Sequence, residues 1–334
     1  MSAIHINLCL FGAGRIGQIH GANIAAHPEA SLKYVVDVDP SAATKLGSRL
    51  GARVADVKTA LADGDIHGVV IATSTDTHLP LIEAAAAAGK GIFCEKPLDL
   101  DETTARACIS LAANAGVSLY VGFNRRYDPS FRRLKDEISA GKIGAVEVVS
   151  IISRDPSPPP ADYIRRSGGM FRDMTIHDLD MASWLLGEQP QSVFASGSSL
   201  IDRSIADAGD IDTAVVVLET ASGALCQITN SRRCSYGYDQ RIEVFGAEGM
   251  LRADNETATR VEHAGSRGFL REPALPFFLE RYRQAYQLEI EDFIGALQGR
   301  ANSLARGADG LSALILADAA ERSRQSGQAI RIGQ

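Results

Sequence analysis

The stretch Ile4 to Gly17, IHINLCLFGAGRIG, governs how the rest of the chain is read. An apolar run ends at Phe11 and gives way at once to Gly12-Ala13-Gly14-Arg15-Ile16-Gly17, a G-x-G-x-x-G turn that opens into a helical pattern. Strand, glycine turn and helix together suit a dinucleotide. Gly12 permits the tight turn, Gly14 lets backbone approach a pyrophosphate, and Gly17 lets the helix pack on the strand, its N-terminus facing the phosphate charge. A second apolar run ends in Asp37, 20 residues past Gly17, where a carboxylate can bond both hydroxyls of an adenine ribose. Asp37 and Asp39 would repel a 2′-phosphate, and no arginine lies in Asp37–Ala43, so NAD is expected over NADP.

Further along, the same grammar repeats. Short apolar runs at Leu32–Val38, Gly68–Ala72, Gly91–Cys94 and Ser118–Val121 alternate with helical segments near Ile16–Ala26, Ser41–Leu50, Thr77–Ala88 and Thr103–Ala115. Continuous apolar strands separated by helices predict a parallel sheet covered on both faces, a doubly wound α/β domain of Rossmann type. The alanine run Ala84–Ala88 reads as a tightly packed helix stopped by Gly89.

Beyond a helical segment at Pro129–Ala140 the pattern changes. A strand-like run, Ala145–Ile152, leads into Asp155-Pro156-Ser157-Pro158-Pro159-Pro160, which cannot join a ladder. A helix near Thr175–Leu186 and β-type runs at Ser192–Leu200, Thr213–Glu219, Ala224–Ser231 and Gln240–Phe245 follow, with a hairpin signal at Ala221-Ser222. Leu279, Tyr282, Tyr286, Ile290, Phe293, Ile294 and Leu297 keep one helical face, and a last helix is predicted near Gly310–Arg324. The expected organisation is a dinucleotide-binding domain over residues 1–123. An α+β domain with a large, mostly antiparallel open sheet follows over 124–334, for substrate binding and oligomerisation.

Composition narrows the classes. A chain of 334 residues that is 45% hydrophobic can bury two cores. A formal charge of −7, from 34 basic and 41 acidic residues, argues against nucleic-acid or anionic-membrane partners. No apolar stretch nears the ~18 residues of a membrane span. Met1–Leu10 lacks the basic start of a secretory signal. Five cysteines without a Cys-x-x-Cys pair read as free thiols in a reducing compartment, so a cytoplasmic location is expected.

Two segments carry candidate chemistry. Glu95-Lys96-Pro97 follows an apolar strand directly, so Lys96 would stand at the carboxyl end of a parallel sheet, where such sheets bind ligands. Asp173 and His177 are four residues apart at a helix start, with Asp180 three further on. A carboxylate beside an imidazole holds its tautomer and raises its basicity, as a general base needs. A capping Asp173 with a satisfied core His177 is the plain alternative. A metal set of Asp173, His177 and Asp180 is disfavoured by the lack of a second nearby histidine.

The glycine turn, Glu95-Lys96-Pro97, Gly122-Phe123-Asn124-Arg125-Arg126-Tyr127 and the Asp173…His177 helix, in this order, resemble the Gfo/Idh/MocA oxidoreductases from end to end. The resemblance implies NAD on the first domain, with its nicotinamide facing the second domain's sheet. It further implies Gly12, Gly14, Arg15 and Ile16 at the pyrophosphate and Asp37 at the adenine ribose. Thr73, Ser74, Thr75, His78 and Glu95 would flank the nicotinamide ribose, with Lys96 and Arg125 also beside the cofactor. Lys96, Asp173 and His177 would form a catalytic triad. Together with Lys96, Asp173 and His177, Arg126, Asp180, Tyr236 and Tyr238 would meet the substrate. The implied reaction is oxidation of a cyclic polyol, myo-inositol to 2-keto-myo-inositol, within inositol catabolism.

Ser153-Arg154-Asp155 stands where some members carry a histidine, so Arg154 or Asp155 would address the polyol and the isomer stays open. Another inositol isomer, a pyranose, or a non-catalytic sensing role are the alternatives. A homo-oligomer is implied, with a tetramer expected and a dimer as the alternative.

Overall fold

The computed structural model describes residues 4–333; the outermost ends of the two expected domains, residues 1–3 and 334, lie outside them. Its strands β1 (Ile6–Phe11), β2 (Ala30–Val36), β3 (Arg53–Val54), β4 (Gly68–Ile71), β5 (Gly91–Glu95) and β6 (Leu119–Gly122) lie in the order β6-β5-β4-β1-β2-β3. All five neighbouring pairs run parallel. The order reverses between β4 and β1, and the segments that leave the carboxyl ends of these strands begin at Gly12, Ala72 and Lys96. Such a switch point is where doubly wound sheets open a ligand crevice.

The strands match the apolar runs because they are buried: of β1, only Asn7 is not fully enclosed. Helices α1 (Arg15–Ala26), α2 (Pro40–Leu50), α3 (Val57–Ala62), α4 (His78–Ala87) and α5 (Glu102–Asn114) link them. Three of these start on aspartate caps. Asp39 accepts from Ser41 N at 2.9 Å, Asp56 from Thr59 N at 2.7 Å and Asp101 from Thr104 N at 2.9 Å.

The chain divides into two compact units, but not at one point. The first takes in Met1–Tyr127 and Ala285–Ser312, the second Asp128–Gln284 and Ala313–Gln334. The single division expected after residue 123 misses this return. Phe293, on the helix Arg283–Leu297, is fully buried with its ring 5.6 Å from Phe93 and 6.1 Å from Tyr120. Burying one such ring contributes about 1.5–3 kcal/mol. The short strand Ala305–Arg306 then pairs antiparallel with β6, and Tyr127 Oη donates to Asp292 Oδ2 at 2.5 Å.

The second unit opens with α6 (Pro129–Ser139), capped by Asp128, whose buried carboxylate also pairs with Arg281. Its sheet uses β7 (Val146–Arg154), β8 (Pro190–Ser198), β9 (Thr213–Thr220), β10 (Leu225–Ser231), β11 (Asp239–Gly246) and β12 (Gly249–Ala253). Their order is β12-β11-β7-β10-β9-β8, with Ile330–Arg331 on the far edge. Only β7 and β10 run parallel; the other pairs are antiparallel. The β9–β10 hairpin extends past Ala221-Ser222, because Gly223 takes a left-handed φ of 91° and Thr220 N bonds Ala224 O at 3.0 Å. One face of this sheet receives the helix Ile176–Leu186.

Candidate active site

In the first unit the glycine turn is shaped by what it excludes. Gly12 has a φ of 100°, and a Cβ there would lie 2.4 Å from Ala72 O; one on Gly17 would lie 1.9 Å from Gly12 O. Around Gly14 nothing lies within 4 Å of an added Cβ, and no side chain caps α1. With no side chain capping its start and room beside Gly14, the N-terminus of α1 fits a pyrophosphate. Asp37 follows β2 and is half-buried, accepting from Ala13 N at 2.6 Å and from Asp39 N at 2.8 Å. These residues fit NAD.

Thr73, Ser74 and Thr75 form the turn after β4, with Thr77 Oγ1 standing 2.7 Å from both Thr73 Oγ1 and the Ser74 carbonyl. His78 is buried beneath them. Its Nδ1 lies 3.0 Å from Pro97 O and its Nε2 3.3 Å from Thr73 O, so the ring sits between the loop after β5 and the loop after β4. Burial lowers its pKa, against the pull of those carbonyls, which favours the neutral ring, whose single N–H donates to one of the two. Lys96 leaves β5 into a cis bond to Pro97 and stays partly open.

Glu95 faces inward instead. Its Oε1 is 2.6 Å from Nε2 of the fully buried His20, its Oε2 accepts from Lys96 N at 3.3 Å, and its carboxylate lies against Gly122. Arg125 and Arg126 are buried in the turn Asn124–Tyr127, Arg126 pairing with Asp309 at 3.2 Å.

In the second unit, Asp173 lies in a π-helical turn, Phe171–Thr175, that runs into the helix Ile176–Leu186. Tyr163 Oη donates to its Oδ1 at 2.8 Å and Arg232 Nη2 stands 3.7 Å from its Oδ2. His177 follows one residue into the helix and is half-exposed. Asp180 is buried, at 2% exposure. Behind this surface Asn230 bridges Thr175 Oγ1 at 2.6 Å and Asp178 Oδ2 at 2.8 Å.

Arg154 and Tyr236 share one anchor. Asp239 is fully buried and accepts from Arg154 Nη1 at 3.0 Å, Tyr236 Oη at 2.6 Å, Arg241 Nε at 2.7 Å and Asn255 Nδ2 at 2.7 Å. Burial pushes its carboxyl up, but these donors hold it below the ordinary carboxylate range. Tyr236 remains 44% exposed, whereas Tyr238 lies at 5% in an aromatic cluster, 5.9 Å from Tyr282 and 6.2 Å from Phe277. Asp155 is tied through its backbone to Ser231 O at 2.9 Å.

His20, Arg232, Asp210 and Asp239 escaped the sequence reading. Two left a trace: His20 falls on the Gly17–Gly21–Ile24 face of α1, and the alternation of β10 points Arg232 inward.

Comparison with known proteins agrees with this geometry. Residues 6–123 match the oxidoreductase family with an NAD-binding Rossmann fold, and residues 131–252 match the GFO/IDH/MocA C-terminal domain. The chain belongs to the Gfo/Idh/MocA family. It is 52% identical over 314 residues to an inositol 2-dehydrogenase of Rhizobium meliloti, covering 94% of this chain and 95% of that one. The crystal structure of a myo-inositol dehydrogenase from Corynebacterium glutamicum superposes with a TM-score of 0.95 at 42% identity, over 99% and 100% of the two chains. A scyllo-inositol dehydrogenase from Lactobacillus casei, with NAD(H) and scyllo-inositol bound, gives 0.90 at 28% identity over 98% and 99%. This family member is an NAD-dependent oxidoreductase acting on CH–OH groups. Among the described residues no helix is long and apolar enough to cross a membrane.

Proposed function

We propose that this chain oxidises myo-inositol to 2-keto-myo-inositol, with Lys96, Asp173 and His177 as its catalytic residues. Bound NAD supplies the hydride acceptor. His177 takes the proton of the reacting hydroxyl, and Asp173 holds the imidazole in the tautomer that can accept it. The Lys96 ammonium stabilises charge growing on the oxygen as that proton leaves. Gly12, Gly14, Arg15, Ile16 and Asp37 hold the cofactor, helped by Thr73, Ser74, Thr75 and Arg125. Arg126, Arg154 and Tyr236 meet polyol hydroxyls.

What supports the substrate is the likeness at higher identity, 52% to an inositol 2-dehydrogenase, 44% to a myo-inositol 2-dehydrogenase and 42% to a myo-inositol dehydrogenase, whereas at 26–34% myo- and scyllo-inositol enzymes occur alike. Purified protein would be mixed with NAD or NADP and with myo-, scyllo- or chiro-inositol, glucose or xylose, following absorbance of the reduced cofactor. Fast NAD reduction with myo-inositol is expected. Turnover confined to another polyol would move the substrate assignment to the Ser153–Asp155 segment. Silence across the panel with NAD bound would favour a sensing role.

The protein is further read as a cytoplasmic homo-oligomer, a tetramer in the first instance. Five free, buried thiols suit a reducing compartment. Leu225, Val148, Phe245 and Met250 stand in register across β10, β7, β11 and β12, each 36–49% exposed, an apolar row suited to a second copy.

A further inference from the structure

Arg232 heads the fully buried side chains of the described residues by volume, at 1% exposure. It follows β10, whose even-numbered residues Cys226, Ile228 and Asn230 point inward, so the strand's register carries the guanidinium inside. A buried charge is costly unless paired and hydrogen-bonded, and a hydrophobic side chain of similar volume commonly serves stability as well or better. Arg232 is only partly repaid. Its Nη2 lies 3.4 Å from Asp210 Oδ2 and 3.7 Å from Asp173 Oδ2, while Nε has no hydrogen-bond partner among the described residues.

The two carboxylates sit at chosen places. Asp210 Oδ1 accepts from Met170 N at 2.9 Å, at the entrance to the π-turn Phe171–Thr175. Asp173 lies in the middle of that turn, its other oxygen taken by Tyr163. Such turns are rare and concentrate at functional sites. One buried cation thus joins the entrance of the turn to the side chain that the turn displays.

We propose that Arg232 is a positioning residue for Asp173: with Asp210 it clamps the π-turn and holds the Asp173 carboxylate in the orientation that serves His177. This inference rests on the catalytic reading of Asp173 given above.

The test compares D173N, R232M, R232K and the double variant R232M/D210N, which removes both buried charges should R232M alone not fold. Measurements are kcat and KM for myo-inositol, NAD affinity, Tm, and the isotope effect with carbon-deuterated myo-inositol. R232M is expected to lose more than tenfold in kcat at temperatures where it stays folded, with NAD affinity unchanged, a larger isotope effect on kcat and a lowered Tm, because Asp210 loses its cation. R232K should recover most of the loss, and the double variant should match R232M in kcat while regaining part of its Tm. A kcat for R232M within threefold of wild type, while D173N is inactive, would overturn the role of Arg232 alone. A loss that tracks a lowered Tm, leaves the isotope effect unmoved and is not rescued by lysine would do the same. A fully active D173N would overturn the catalytic reading and this inference with it.

Discussion

Asp37 Oδ2 accepts the backbone N–H of Ala13 at 2.6 Å, so the acid at the end of β2 is braced by the glycine turn at the end of β1. One carboxylate therefore shapes the turn and presents charge beside it. Asp37→Ser should raise KM for NAD about ten- to hundredfold, since hydrogen bonds to a charged group are worth ~1.5–3 kcal/mol. The same change should narrow the preference for NAD over NADP. Steady-state kinetics with both cofactors check it; an unchanged ratio would remove Asp37 from cofactor choice.

Gly12 and Gly14 should separate folding from binding. Alanine at Gly12 meets Ala72 O at 2.4 Å and must hold a left-handed φ of 100°, so a loss of about 1–3 kcal/mol is expected. Alanine at Gly14 meets nothing within 4 Å and has an ordinary φ, so Tm should stay while NAD binding weakens. Melting curves with and without NAD distinguish the two.

His177→Ala should lower kcat by ~10²–10⁴, the usual contribution of a general base, and Lys96→Met by ~10²–10³, that of a group stabilising a developing oxyanion, each with NAD affinity nearly unchanged. Turnover within about threefold of wild type for either would end that residue's assignment.

Acid should unfold the second unit partly through Asp239. Its carboxyl titrates below the ordinary range when folded, so its contribution is present above the unfolded value of about 3.9 and is lost as pH falls through the folded one. Asp239→Asn should remove that part of the acid transition. It should also destabilise the protein at neutral pH, because Arg154 and Arg241 lose their partner. Denaturant melts at pH 7 and pH 3 measure both effects.

Lysine in place of Phe245, at the centre of the outer apolar row, should shift the assembly toward smaller species while leaving the circular dichroism spectrum intact. Light scattering after size exclusion would show it. An unchanged mass would place the subunit contact elsewhere.

The first unit was legible because its strands are continuous apolar runs and its turn has glycines with steric jobs. The second sheet was legible from alternation, as in β9, where Ala214, Val216 and Leu218 are buried between more exposed neighbours. Short exposed pieces such as Arg53–Val54 left no apolar signal. The packing of Phe293 on Phe93 joins residues 200 positions apart, and no local pattern reports such a contact. The site divides the same way. Lys96 and His177 stand out in the sequence because their segments are distinctive, while the contacts of His20, Arg232 and Asp239 are with partners that only the fold brings near.

The return of residues 285–312 to the first unit sets an order of assembly during translation. The strands of the nucleotide-binding sheet are made before the second unit, yet the ring of Phe293 and the edge strand Ala305–Arg306 emerge only after almost all of that unit. A nascent or truncated chain ending at Tyr127 would carry the glycine turn intact but leave Phe93 and Tyr120 without their cover. Excising this domain as a continuous fragment should therefore yield a sticky, incomplete sheet. A soluble version would need residues 285–312 grafted back on.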